Sequence, residues 1–391
     1  MIKFNLAAWQ KISIAVLISV SLLVVGVWVF KREVGDVRPV ILPPAKLGDK
    51  PETALKLPDG FKIGIFATDL GAVRDIEFSR EGTLLVSSSG EGRLWALPDK
   101  NQDGRADQTK LLLDGRDKLH GLAFNDGSLY VAEETKVSRF KWDEASLSLS
   151  SEEKILDLPA AGRHFTRTIA FNKSGQMFVS IGSTCDVCFE AHEWLAAIIV
   201  SDVNGKNARL YAKGLRNAVF ITVNPDSGDL WATEMGRDGL GDDIPPDEIN
   251  IIRDGKDYGW PNCYGSKVAD TDFNKSLSET ACVSTEPPVF KIQAHSAPLG
   301  LSFIKSPRFP EDWQGDLLVA YHGSWNRSEP VGYRVVRLEI ADNQVKAEHE
   351  FLNGFLSGSD IYGRPVDMDF DRDGSLYISD DKAGLIYKIA N

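Results

Sequence analysis

The sequence predicts an all-β protein, a six-bladed β-propeller preceded by a single N-terminal transmembrane helix. Three observations predict it: a turn-and-strand phrase that recurs six times, the lack of any long 3.6-residue apolar pattern after residue 31, and one uncharged apolar run near the N-terminus. The expected organisation is a membrane anchor over 1–35, a Pro-rich linker over 36–52 and the propeller over 53–391.

The phrase is a glycine turn followed by a short strand of apolar and small residues: "REGTLLVSS", "NDGSLYVAE", "KSGQMFVSI", "DSGDLWATE", "WQGDLLVAY" and "RDGSLYISD". Its glycines are Gly82, Gly127, Gly175, Gly228, Gly315 and Gly374, spaced 45, 48, 53, 87 and 59 residues apart. Repeats of this length, each holding several strand-like runs such as "RLWALPD" and "YRVVRLEI", belong to propellers. Six phrases predict six blades, with the first strand of each lining a central channel and its entry loops gathered at one end.

The apolar run is "ISIAVLISVSLLVVGVWVF", Ile12 to Phe30, bracketed by Lys11 and by Lys31-Arg32. Nineteen residues at about 1.5 Å each reach about 28 Å, close to a bilayer core. A cleaved signal peptide is the alternative, but Trp28 and Phe30 stand where small residues would be needed for cleavage. Lys3 and Lys11 balance Lys31 and Arg32, so charge sets no orientation.

All four cysteines lie beyond this run. Cys263 and Cys282 close a polar loop without an apolar core of its own, which a disulfide would stabilise. Cys185 and Cys188, in "CDVC", read as a local disulfide, a zinc half-site or a redox dithiol, and Phe189 in place of His rules out haem attachment. Disulfides imply an oxidising compartment, so the propeller is expected to face the periplasm or the cell exterior. The net charge of −12 disfavours nucleic acid, whose binding needs excess Lys and Arg.

Several residues just before predicted channel strands are cationic or imidazole-bearing: Arg74, His120, His164, Arg216, His295 and Arg364, one per blade and read as sharing one phase. The stretch "GLRNAVFITVNPDSGDLWATEMGRDG" places Arg216-Asn217 before one strand, Val219 to Val223, and Gly236-Arg237 after the next, Asp229 to Glu234. If the two strands are antiparallel neighbours, the guanidinium, the amide and the Gly236-Arg237 backbone carbonyls meet at one face. Carbonyl oxygens suit a hard cation such as calcium. The bland alternative for Arg216-Asn217 is a salt-bridged turn. A funnel mouth of Arg and His on an acidic protein suits a compact polyanion.

The strings "HFTRTIAF", "GLRNAVF", "EMGRDGLGDDIPPDEINIIRDGKDYGWPNCYG", "HSAPLGL", "HGSWNRSEPVGYRVVRL" and "GRPVDMDF" together resemble the glucose/sorbosone dehydrogenase family, nearest its sorbosone and pyranose dehydrogenase-like branch, over about residues 52 to 391. The resemblance implies six blades carrying pyrroloquinoline quinone (PQQ) and calcium. It makes His164 the general base, Arg216 and Asn217 contacts to the quinone edge, and Gly236 and Arg237 calcium ligands through their carbonyls. Arg74, Arg327 and Arg364 would pair with cofactor carboxylates, with His120 and His295 beside the cofactor. The family's fifth-blade lysine has no equivalent here, and His322 or Arg327 of "HGSWNR" stands in its place. Ser183 replaces an acidic residue of the soluble glucose enzymes, and Val366 replaces an arginine. Both departures argue against glucose specificity.

Imidazole can take a hydroxyl proton at neutral pH while hydride leaves for a quinone. The expected reaction is oxidation of an aldose or related sugar alcohol or aldehyde. Without a haem motif, electrons must pass to a separate cytochrome or membrane quinone. The alternatives are a calcium-dependent propeller lactonase of the gluconolactonase type and a non-catalytic binding module. Glu248 and Tyr258 match positions that the glucose/sorbosone dehydrogenase family can use for a second, structural calcium. "DKNQDGRADQ", Asp99 to Gln108, reads either as a calcium loop or as a solvated Asx turn, since Lys110 stands where a closing Glu belongs.

Overall fold

The computed structural model describes residues 55–278 and 280–391. The predicted anchor, Ile12 to Phe30, and the linker up to residue 52 lie outside the described residues. Among the described residues no helix is long and apolar enough to cross a membrane.

Six blades form the ring, each built on four antiparallel strands, with Lys256–Asp257 added parallel to the outer strand of blade three. Their innermost strands are Val73–Phe78, Leu122–Asn125, Ile169–Phe171, Ile221–Val223, Pro298–Phe303 and Pro365–Phe370. The recurring phrase is the second strand of each blade: Leu84–Ser88, Ser128–Glu133, Met177–Ile181, Leu230–Glu234, Leu317–Tyr321 and Leu376–Asp380. The residue four after each phrase glycine pairs with the inner strand at an equivalent place: Val86 with Ile76, Val131 with Leu122, Val179 with Ile169, Ala232 with Ile221, Val319 with Leu301 and Ile378 with Met368. Blade six draws its outer strand from the other end of the domain, Lys62–Ala67, which pairs antiparallel with Leu385–Ala390.

The second strands carry apolar residues on consecutive positions because both faces are covered by neighbouring blades. Leu84 and Val86 pack toward blade six, whereas Leu85 between them packs toward blade two. Six apolar clusters result, one in each space between adjacent blades. Each fully buried Leu, Val or Ile contributes about 1.5–3 kcal/mol.

Backbone amides also stitch the hub. Asp367 Oδ2 accepts from Ile76 N at 3.0 Å and Asp75 Oδ2 from Leu122 N at 3.3 Å, while Asp369 and Glu77 do the same one step further down the channel. Burial raises all four carboxyls, and Asp367 reaches about 8. Asp380, buried at the upper end of blade six, is pushed up to about 7. These groups are protonated in the folded state at pH values where the unfolded chain has released the proton, so stability falls as pH rises through their folded pKa values. Buried His120 and His322 are held down to about 3 and 4 and act in the opposite sense, but only below their unfolded value of about 6.5. Above about pH 6.5 the histidines no longer contribute, so the melting temperature is expected to fall as pH rises from about 6.5 to 8.5. A calorimetric melting temperature that rose across that window would contradict this assignment of protons.

Candidate active site

Register explains which predicted residues meet. Counted back from the equivalent inner-strand residues Ile76, Leu122 and Ile169, the positions two earlier are Arg74, His120 and Arg167. His164 and Arg216 stand five earlier, His295 six and Arg364 four. The expectation of one shared phase is corrected: Arg74 lies inside its strand, and the inner strands of blades one, five and six each break register at their entry. The residues standing farther back, His164, Arg216 and His295, line one cavity of about 330 Å³, a volume typical of small-molecule sites. Asn217 and Gly236 line it too.

His164 ends a short 3-10 turn, Gly162–His164. The fully buried Arg167 fastens this turn by donating to the carbonyls of His164, Thr166 and Pro159 at 3.1, 2.8 and 2.9 Å. On its other side Glu134 Oε1 accepts from Ala161 N and Gly162 N. Gly182 permits the close approach of the histidine, since a Cβ there would stand 2.5 Å from His164 Cβ. Burial, and then the Arg216 and Arg163 guanidiniums, hold the imidazole down to about 2. It is a neutral ring in the cavity wall.

The predicted antiparallel pairing of the two strands around Arg216 and Gly236 is present: Ile221–Val223 pairs with Leu230–Glu234, each starting one or two residues later than expected. Arg216 Nη2 lies 2.6 Å from Asp186 Oδ1 and 3.3 Å from Asp238 Oδ2, and its Nε donates to the Asp186 carbonyl at 2.9 Å. Arg163 reaches the same Asp238 oxygen at 2.9 Å, and Asn326 donates to the other. Burial raises Asp238 to about 6 against the pull of Arg216. Asn217 N donates to Glu234 Oε1 at 3.1 Å, and the amide Nδ2 of Asn217 lies 3.5 Å from Met235 Sδ.

Gly236 opens the turn after Glu234. Its N–H donates to Asp247 Oδ1 at 2.9 Å, and Asp247 Oδ2 accepts from Ala297 N at 2.8 Å, which ties this turn to blade five. A Cβ at Gly236 would lie 2.7 Å from Pro245, so only glycine fits. The Gly236 and Arg237 carbonyls accept no hydrogen bond among the described residues. Such bare, fixed oxygens match a hard cation.

Other predicted residues are engaged elsewhere. Arg74 Nη1 pairs with Asp381 at 2.9 Å, and His322 Nε2 meets both oxygens of that carboxylate. Arg364 donates to the His322 and Gly323 carbonyls, and Arg327 to the Asp242 and Glu329 carbonyls. His120 Nδ1 contacts the Arg167 carbonyl, and its buried Nε2 has no partner among the described residues. His295 Nε2 contacts the Gly241 carbonyl. Glu248 and Tyr258 share a second cavity of only about 30 Å³ with Arg237, but the Tyr258 hydroxyl is spent on the Ile251 carbonyl at 2.6 Å. In the Asp99 to Gln108 loop Asn101 Oδ1 accepts from Asp103 N and Asp103 Oδ1 from Arg105 N, both at 2.9 Å, as two Asx turns, and the Asp99 carboxylate accepts from the Asp103 and Gly104 amides.

Arg163, Asp186, Asp238, Asp247, Asn326 and the half-exposed Trp325 at the cavity rim were not singled out from sequence. Their signal was adjacency: "GRH", "CDVC", "GRDG", "PPDE" and "SWNR" each flank or contain a residue that was. Both disulfides, Cys185–Cys188 and Cys263–Cys282, are present, so "CDVC" offers no zinc thiolates.

A six-bladed ring with an imidazole, a buried guanidinium and bare backbone carbonyls around one hub-end cavity defines a propeller with an enzyme-like site. The chain belongs to the TrAA12-like family, whose model matches residues 55–391. An uncharacterized protein of Borreliella burgdorferi is 31% identical over 86% of this chain and 91% of its own length. The pyrroloquinoline quinone-dependent sugar dehydrogenase of Hypocrea jecorina is 24% identical, covering 84% of this chain and 87% of that one. Among solved structures, a calcium structure of the Trichoderma reesei Carbohydrate-Active Enzymes Family AA12 protein superposes with a TM-score of 0.77 at 22% identity, covering 90% of this chain and 98% of that chain. The holo pyranose dehydrogenase PQQ domain of Coprinopsis cinerea gives 0.72 at 21%, covering 91% and 100%.

Proposed function

We propose that the protein is a PQQ- and calcium-dependent dehydrogenase that oxidises an aldose or related sugar alcohol or aldehyde. The observation that carries the reading is the convergence of His164, Arg216, Asn217 and Gly236 on one cavity, with Arg237 lining the neighbouring cavity that shares Arg216 and Gly236. The relatives named as PQQ-dependent sugar and pyranose dehydrogenases support it. The residues fit the group: Arg163 and Arg216 offer positive charge to carboxylates, and the Gly236 and Arg237 carbonyls offer oxygen ligands to calcium.

PQQ, when bound, supplies the quinone that accepts a hydride. His164 takes the proton of the substrate hydroxyl and holds it on a ring nitrogen. Arg216, fixed by Asp186, presents positive charge where an anionic oxygen develops. Trp325 offers an apolar face at the rim against which the C–H face of a sugar ring can lie. The lactonase alternative needs free carboxylates around a metal, whereas Asp238 and Asp247 spend their oxygens on Arg163, Arg216, Asn326 and two amides.

The two disulfides support an oxidising compartment, and Ile12 to Phe30 would anchor the chain to a membrane there, facing a cytochrome or membrane quinone as electron acceptor. Full-length protein mixed with PQQ and calcium should reduce an artificial dye with a sugar panel, and a chelator should abolish that activity. Failure of PQQ to change its absorbance in the presence of protein and calcium would overturn the cofactor assignment.

A further inference from the structure

Ser183 directly follows the glycine that admits His164, and it is fully buried. Its backbone and side chain both address that residue: His164 N donates to the Ser183 carbonyl at 3.3 Å, and His164 Nδ1 lies 2.8 Å from Ser183 Oγ. The same hydroxyl donates to the Cys185 carbonyl at 2.6 Å. A hydroxyl has one hydrogen, and a carbonyl can only accept. The far end therefore sets the polarity of the chain: the hydrogen of Ser183 is spent on Cys185, so Oγ offers Nδ1 a lone pair and Nδ1 must carry the ring proton. Among the described residues Nε2 has no protein partner. Cys185 is itself tied by its disulfide to Cys188.

We propose that Ser183 is the positioning residue for His164: the relay from Nδ1–H through the serine hydroxyl to the Cys185 carbonyl holds the imidazole in the tautomer whose bare nitrogen is Nε2, and the Cys185–Cys188 disulfide holds that carbonyl in place. The inference rests on the reading of His164 as the base and names what makes it one. The relay is neutral throughout. The charged groups around the ring are Arg163 and Arg216, with Arg167 on its carbonyl, and the carboxylates Asp186 and Asp238 face Arg216 instead of the imidazole. An imidazolium thus finds no carboxylate behind it, and the base stays unprotonated far into acid.

The direct test is long-range ¹H–¹⁵N NMR of histidine-labelled, cofactor-free full-length protein at neutral pH, with His164 assigned by its loss in His164→Gln. Wild type should show a protonated Nδ1 and a bare Nε2, and Ser183→Ala or the double change Cys185→Ser/Cys188→Ser should give a mixture. A wild-type His164 protonated on Nε2, or a tautomer unchanged in Ser183→Ala, overturns the proposal. With the loaded enzyme, Ser183→Ala should lower kcat about 10- to 100-fold with little change in KM, and Ser183→Thr should restore it. Ser183→Asp should move the acid limb of kcat/KM up by about one to three pH units. A limb left in place would sink the neutral-relay account. Should His164→Gln keep full turnover while the NMR pattern holds, the base reading falls and the relay stands.

Discussion

His164→Ala is expected to cut turnover by about 10²–10⁴-fold, the usual worth of a positioned general base, while PQQ and calcium binding persist. The expectation follows from how the site is built. The imidazole is neutral because burial and two guanidiniums oppose its charge, and its turn is fixed from behind by Arg167 and Glu134. Removing the side chain leaves that turn held, so the loss falls on proton transfer and not on folding. Steady-state dye reduction beside a fluorescence measurement of PQQ affinity separates the two. Equal turnover in mutant and wild type would remove His164 from the chemistry, and equal losses of affinity and turnover would make it a binding residue.

Arg216→Ala is expected to be the most damaging single change to the structure and to abolish activity. The side chains of Arg216, Asp186 and Asp238 are only 5, 7 and 8% exposed, so the pair belongs with buried ion pairs and not with screened surface ones. Taking away the cation leaves the Asp186 carboxylate without its ion-pair partner and Asp238 with Arg163 as its remaining cation, at a cost of about 3–5 kcal/mol. Asp238, already raised to about 6, should rise further, so the mutant's deficit should shrink on acidification. Asp186→Asn in the same background should recover part of the loss. Urea unfolding at pH 5.5 and 7.5 checks both points, and a deficit that grew toward acid would show that Arg216 does not act on these carboxylates.

The fold was legible because its grammar is local. A turn glycine and four residues of alternating size suffice to mark the second strand of every blade, and Gly82 and Gly374 do so as plainly as Gly175. The site was legible where a residue lies on the strand frame, as Arg216 and Asn217 do. It was misread where strands begin with a register break: the breaks after Val73 and Pro365 hide the offset that separates Arg74 and Arg364 from His164. Asp186, Asp238 and Asn326 escaped because they come from loops with no period, and only three-dimensional folding brings residues 186, 238 and 326 to one guanidinium or its partner carboxylate.

The sixth blade joins Lys62–Ala67 to Leu385–Ala390, so the wheel is buckled by the first and last strands of the domain. The buckle and the clasp lie at opposite ends of the propeller sequence, so they can mate only after the strands of every other blade have been made. Until then the spokes have no closed rim to hold them.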